Sequence, residues 1–246
     1  MKQDAATRKK IGDWLGKAVG RGKSASYLEG LWHDLTGFLY ATDGTRVHGI
    51  DGMSDRSGQV RCPASSEVIE ADVLPDLGAI VQGLIEDEYV FELNPRELYA
   101  AAFGLVAAAK AGGFSGATGH LHLRPERNRI DLTLRSTDDK DADDNGGVTL
   151  DAGVASTPDP GSCRNYRDIP IQLSRIVDAL GGMIAFGGRP MLELTTGIAS
   201  DSAVLLRMIP GDEMDVPAAA FALILPLRED AGIGWRQDWN SRIEGR

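Results

Sequence analysis

Apolar residues recur at helical spacing in three stretches of the chain and alternate at strand spacing between them. In the first stretch Ile11, Trp14, Leu15, Ala18 and Val19 share one stripe, and Gly20-Arg-Gly22 closes the helix. Strands are predicted after it at Ser26–Trp32, Gly37–Thr42 and Arg46–Ile50, followed by loop-like residues 51–67. The second stretch opens with a strand at Glu88–Leu93 and a well-marked helix start. Asn94 caps, Pro95 suits the first helical position, and Glu97 completes a capping box. Leu98, Ala102, Leu105, Val106 and Ala109 form its apolar stripe, and Gly112-Gly113 ends it. Strands follow at Gly119–Leu123, Arg129–Arg135 and Val148–Ala155. A third helix is predicted near Pro170–Leu180, with Leu173, Ile176, Val177 and Leu180 inward and Gly181-Gly182 as the stop. Its strands are Met191–Thr195, Ala203–Met208 and Ala220–Leu227.

Three units of one helix plus meandering strands make an α+β fold in which the helices cover one face of antiparallel sheet. At 246 residues and 42% hydrophobic composition the chain can bury a sizeable core. No apolar run reaches the ~18 residues of a membrane span, and the basic, polar N-terminus lacks a secretory signal's apolar segment. Two cysteines, Cys62 and Cys163, are too few for a disulfide framework, so a reducing cytoplasm is expected.

Charge changes the picture in one place. A formal net charge of -10 argues against whole-surface affinity for nucleic acid. Yet residues 1–23 carry Lys2, Arg8, Lys9, Lys10, Lys17, Arg21 and Lys23 against Asp4 and Asp13. On a helix Lys10, Lys17 and Arg21 share a stripe apart from the apolar one, with Lys9 and Lys23 nearby. Either this is a solvated helix face or it is a local footprint for a phosphate backbone.

Four short motifs lie in order along the chain. Ser26-Tyr-Leu-Glu-Gly-Leu31 leads into Phe38-Leu-Tyr-Ala-Thr-Asp-Gly-Thr-Arg-Val47, a strand that stops on a Thr-Asp-Gly turn and restarts. Leu74-Pro-Asp-Leu-Gly-Ala-Ile80 and Phe221-Ala-Leu-Ile-Leu-Pro-Leu-Arg228 follow. Together they resemble the bacterial DNA polymerase III beta sliding clamps, whose corresponding runs read "YLNG-x-L", "ATDG-x-RL", "FPDY-x-x-V" and "YVVMPMR". The resemblance spans residues 8–81 and 88–228. There are departures: Thr45 stands for the usual histidine, Val47 for leucine, and Leu225 and Leu227 for methionines. The loss of adaptable methionines narrows the range of clients such a site accepts. A family member carries three domains of two repeats each, whereas this chain shows three repeats in all.

The resemblance implies a sliding-clamp-like fold. Residues 1–85 form a half domain with a connecting segment, 86–229 a complete domain like the family's last, and 230–246 a tail. The tail's ending, Ile243-Glu-Gly-Arg246, matches a processing-protease recognition sequence and is read as a scar. A peptide-binding cleft is implied at Leu28, Thr42, Gly44, Thr45, Arg46, Val47, Pro75, Ile80, Leu223, Leu225 and Pro226, with Arg46 as a charged rim. Such an aliphatic cleft suits an apolar peptide anchor, although isolated apolar strand positions are ordinarily core residues. The expected partners are duplex DNA, met through Lys9, Lys10, Lys17, Arg21 and Lys23 without sequence readout, and a DNA polymerase or other client with a short apolar motif. Arg96, Lys110 and Arg175 add weaker basic positions. The family's ring holds twelve helix–strand repeats, so four chains of three repeats suggest a closed homo-oligomer. The competing reading is a module that binds or sequesters client peptides without encircling DNA.

Other signals carry little. Gly22-Lys23-Ser24 lacks the earlier glycine of a phosphate loop, since that position is Lys17. Asp141-Ala-Asp-Asp-Asn-Gly146 begins like a calcium loop but has Ala152 where a bidentate glutamate belongs. His120 and His122 share a strand face without further ligands in view. The serines and cysteines have no base partner, so no metal, cofactor or catalysis is expected.

Overall fold

The computed structural model describes residues 5–20, 26–70, 89–113, 118–124, 128–135, 147–156, 167–186, 191–196, 203–209 and 219–227. Helix α1 (Ala5–Gly16) buries Thr7, Ile11, Trp14 and Leu15. A 3-10 turn (Ser26–Glu29) leads to β1 (Leu31–His33), β2 (Leu39–Thr42), β3 (Arg46–Ile50), β4 (Gln59–Arg61) and β5 (Val68–Ile69). The next unit is β6 (Tyr89–Leu93), α2 (Pro95–Ala111), β7 (Thr118–Arg124), β8 (Arg129–Arg135), β9 (Gly147–Asp151) and β10 (Gly153–Ser156). The last is β11 (Arg167–Gln172), α3 (Leu173–Ala185), β12 (Met191–Thr196), β13 (Val204–Ile209) and β14 (Ala220–Ile224).

The strands form two antiparallel sheets. The larger runs β10-β6-β12-β13-β14-β3-β2-β1-β4-β5 and the smaller β11-β7-β8-β9. The second and third units therefore exchange leading strands: β6 pairs with β12, and β11 with β7. The first unit joins them edge to edge, because β3 pairs with β14 from Arg46↔Ile224 to Ile50↔Ala220. One apolar core lies between the helices and both sheets, including Trp14, Leu98, Leu180 and Met183 with Leu121, Ile130, Leu194, Leu206 and Ile224. The antiparallel α+β architecture matches the sequence reading.

Several local expectations differ. The predicted strand at Ser26–Trp32 is a 3-10 turn followed by β1, because Leu28 folds back and its carbonyl accepts from Gly20 N at 2.7 Å. The loop 51–67 contains β4, whose three residues bury only Val60 and leave no alternation to read. Predicted strand Val148–Ala155 breaks at buried Ala152, whose N–H goes to the Asn128 carbonyl at 2.8 Å. Its first half enters the small sheet and its second the large one.

Helix α3 starts after Pro170 and runs through Gly181-Gly182. Pro170 sits on β11, which ends the small sheet, where a missing N–H is tolerated. Gly182 is a packing glycine: a Cβ there would lie 2.1 Å from Trp14 Cδ1, so the indole rests directly on the helix backbone. Trp14 Nε1 donates to Ala179 O at 2.9 Å, which fixes α1 across α3. Asn94 caps α2 as expected, its Oδ1 accepting from Arg96 N at 3.0 Å while its amide donates to Glu97 Oε1 at 3.1 Å.

Candidate functional site

The larger sheet has two unlike faces. Along β14, Ala220, Ala222 and Ile224 turn to the helices, while Phe221 and Leu223 turn away. The outward residues belong to a second cluster with Trp32, Tyr40, Val47, Val60, Ala203 and Leu205, against which Phe38, Ile69 and Leu225 pack. Cross-strand register aligns Thr42 with Val47, Val47 with Leu223, and Leu223 with Leu205. This row joins the first unit to the third on the face away from the helices.

The hairpin at the end of the row is built by one carboxylate. Asp43 Oδ1 accepts from Thr45 N at 2.9 Å, from Thr45 Oγ1 at 2.6 Å and from Arg46 N at 3.1 Å. Such an Asx arrangement replaces backbone pairing in the turn. Gly44 has φ +80°, the left-handed region, and a Cβ there would meet Leu28 Cδ1 at 3.7 Å. Thr42 Oγ1 donates to Arg46 O at 2.7 Å and accepts from Gly44 N at 3.0 Å. Leu225 N donates to Thr45 O at 3.0 Å, so the end of β14 follows the turn, and Leu227 N donates to Pro170 O at 2.8 Å.

Leu28, Thr42, Gly44, Thr45, Val47, Leu223, Leu225 and Pro226 thus lie on or beside one hairpin-and-strand end. Val47 and Leu223 are buried, while Thr45, Leu225 and Pro226 are half-buried. Pro75 and Ile80 lie outside the described residues. Arg46 is not a charged rim. Strand parity turns its side chain to the helix face, opposite Val47, where Nη1 meets Asp178 Oδ2 at 2.8 Å and Nε meets Asp43 Oδ2 at 3.1 Å. Arg46 Nη2 also donates to the Lys17 carbonyl. Arg175, on the same helix as Asp178, reaches Leu225 O at 3.5 Å, and burial pushes its pKa down.

Asp178 and Leu205 were not singled out in the sequence, Arg175 was named only as a weaker basic position, and Asp43 only as part of the turn. Leu205 was accessible from the alternation of β13, but the two charged contacts from α3 are 132 and 50 residues distant in the chain and had no local signal.

The basic positions separate. Lys9 and Lys10 project to solvent from α1, with Lys9 Nζ 3.4 Å from Asp13 in an exposed pair worth little. Lys17 lies past the end of α1, where 3-10 bonds from Lys17 N to Trp14 O and from Ala18 N to Leu15 O tighten the final turn. Its ammonium stands 3.6 Å from Asp178 Oδ1. Arg21 and Lys23 fall outside the described residues. Among the described residues no group of three or more potential metal ligands occurs, and His122 Nε2 lies 3.1 Å from Thr133 Oγ1. No described helix is long and apolar enough to cross a membrane.

No protein-family model and no curated protein matches the sequence. Solved structures do match in fold. The C. crescentus beta sliding clamp superimposes with a TM-score of 0.64 at 14% identity, over 92% of this chain and 64% of that one. The Bacillus subtilis DNA polymerase sliding clamp gives 0.65 at 16% identity, over 92% and 63%. A DnaN sliding clamp from Bartonella birtlesii, bound to griselimycin, gives 0.60 at 15% identity, over 91% and 64%. The chain has the sliding-clamp fold, and it spans just under two-thirds of the length of these structures.

Proposed function

We propose that the chain is a clamp-like tether. In this reading a homo-oligomer surrounds duplex DNA without reading its sequence. It holds a DNA polymerase or other client by a short apolar peptide seated against the Thr42–Val47 hairpin and the Leu223–Pro226 strand end, with Pro75 and Ile80 completing the cleft. Residues 1–85 act as a half domain, 86–229 as a complete one, and 230–246 as a tail. The observation that carries the reading is the row Thr42–Val47–Leu223, extended by Leu225 on the Thr45 carbonyl, on the sheet face away from the helices. The basic residues Lys9, Lys10 and Lys17, joined by Arg21 and Lys23, supply a sequence-independent phosphate contact in a chain that is acidic elsewhere. The role is binding, not catalysis.

Griselimycin, bound in the Bartonella neighbour, serves as probe of the cleft. Saturable binding to the wild type and its loss in Leu225→Asp, with an unchanged circular dichroism spectrum, is the expected result. Binding that survives the substitution removes the cleft from this site.

One observation favours the non-encircling module instead. The exposed face of α2 carries Ala100, Phe103, Gly104, Ala107, Ala108 and Ala111, with Phe103 53% exposed, and has Arg96 and Lys110 as its cations. That is a poor electrostatic lining for a DNA channel. Retention on closed circular DNA, with release on linearisation, supports encirclement; equal release from both supports the peptide-binding module.

A further inference from the structure

Helix α3 holds both sides of the proposed cleft from beneath. Arg175 reaches the Leu225 carbonyl at the strand end, and Asp178 reaches Arg46 at the hairpin. Arg46 in turn bonds Asp43, whose other oxygen holds Thr45 and the Arg46 amide. The shape of the turn therefore depends on where the Arg46 guanidinium is held. Asp178 divides its carboxylate: Oδ2 serves Arg46 at 2.8 Å, while Oδ1 serves the Lys17 ammonium at 3.6 Å. The two partners differ in environment, since the Arg46 side chain is 14% exposed and that of Lys17 is 44% exposed. Lys17 is the partner that a solvent-borne anion can take, and Arg46 is the one that stays.

We propose that Asp178 is a positioning residue of the cleft and couples it to the basic segment: an anion engaging Lys17 leaves the whole carboxylate to Arg46 and tightens the Asp43–Arg46 turn. The proposal rests on reading this hairpin as a cleft wall. A polyanionic backbone presented near α1 is the anion of matching chemistry. Coupling of this kind is reciprocal, so a ligand in the cleft strengthens anion binding by the same factor. Its size is limited to what an exposed ion pair is worth, roughly two- to fivefold in affinity.

The test uses the full chain and two readouts: amide hydrogen exchange at Thr45 and Arg46, and griselimycin affinity. Lys17→Gln stands in for the anion-engaged state. It is expected to slow exchange at both amides and tighten griselimycin by roughly two- to fivefold. Asp178→Asn is expected to speed exchange there and, in the double variant, to erase the effect of Lys17→Gln. Loss of that effect separates coupling from a merely structural role. Short duplex DNA at low ionic strength should reproduce Lys17→Gln on the wild type. The proposal is overturned if Lys17→Gln acts equally with and without Asp178, or if Asp178→Asn leaves the turn amides unchanged. If griselimycin fails to bind even the wild type, the cleft reading falls, while the amide exchange still decides the coupling.

Discussion

At the residue scale the buried titratable group nearest the hairpin is His48, two residues along β3 from Arg46. Its ring is fully buried, stacks on Trp14 with centroids 4.7 Å apart, and places Nδ1 2.9 Å from the Trp14 carbonyl. Nδ1 therefore carries the proton and donates, and Nε2 has no hydrogen-bond partner among the described residues. Burial pushes the His48 pKa down to about 4, against 6.5 unperturbed. The folded state thus holds His48 neutral where the unfolded chain protonates it, so stability rises with pH through the window from about 4 to 6.5 and is level above it. Between pH 7 and pH 5 this residue should cost roughly 2 kcal/mol of stability. Urea unfolding at the two pH values, on wild type and His48→Gln, checks it. An equal drop in both would show that other groups carry the pH dependence. None of this was legible in the sequence, where His48 is one polar position in an alternating strand.

At the element scale the helices show what periodicity reports and what it misses. The stripe Leu98, Ala102, Leu105 and Ala109 and the Asn94 cap were readable because spacing and capping act within one element. Gly181-Gly182 was read as a stop because two glycines ordinarily end a helix. In α3 they continue it, since Tyr99 and Trp14 of the two neighbouring helices occupy the space where side chains would stand. Gly182→Ala gains helix propensity but drives a methyl into the indole. The predicted net effect is a loss of about 1–3 kcal/mol, of the kind seen on overpacking a core. Thermal unfolding with Trp14 fluorescence measures it, and a variant as stable as wild type would show that α1 is not seated on α3 at this glycine.

At the scale of the whole molecule the outer strands matter. The larger sheet ends in β5 on one side and β10 on the other, and Val68 on β5 is 52% exposed. Outer strands of this kind are open to pairing with another copy. Light scattering at micromolar concentration should therefore report a multiple of the 26.3 kDa chain, with a tetramer expected from twelve repeats. A monodisperse monomer would remove the ring from the proposed function. The likeness to the C. crescentus clamp covers 92% of this chain and 64% of that one, and in the proposed function assembly completes the ring.

Sequence alone determined the properties carried by neighbours along the chain: three helix-plus-strand units, antiparallel hairpins, a capped α2, and a Thr-Asp-Gly turn whose Asp43 builds its own hydrogen bonds. These depend on spacing and local chemistry, which a linear pattern records. Only the tertiary structure decided that the units exchange β6 and β11, that β3 joins β14, and that Arg46 faces the helices while Val47 faces away. Those outcomes follow from pairings and ion contacts between residues dozens to well over a hundred positions apart, and from strand parity once a neighbour is chosen. No local pattern encodes which distant edge or carboxylate completes such a contact, so the same Thr-Asp-Gly-Thr-Arg run reads as a generic turn until α3 is placed beneath it.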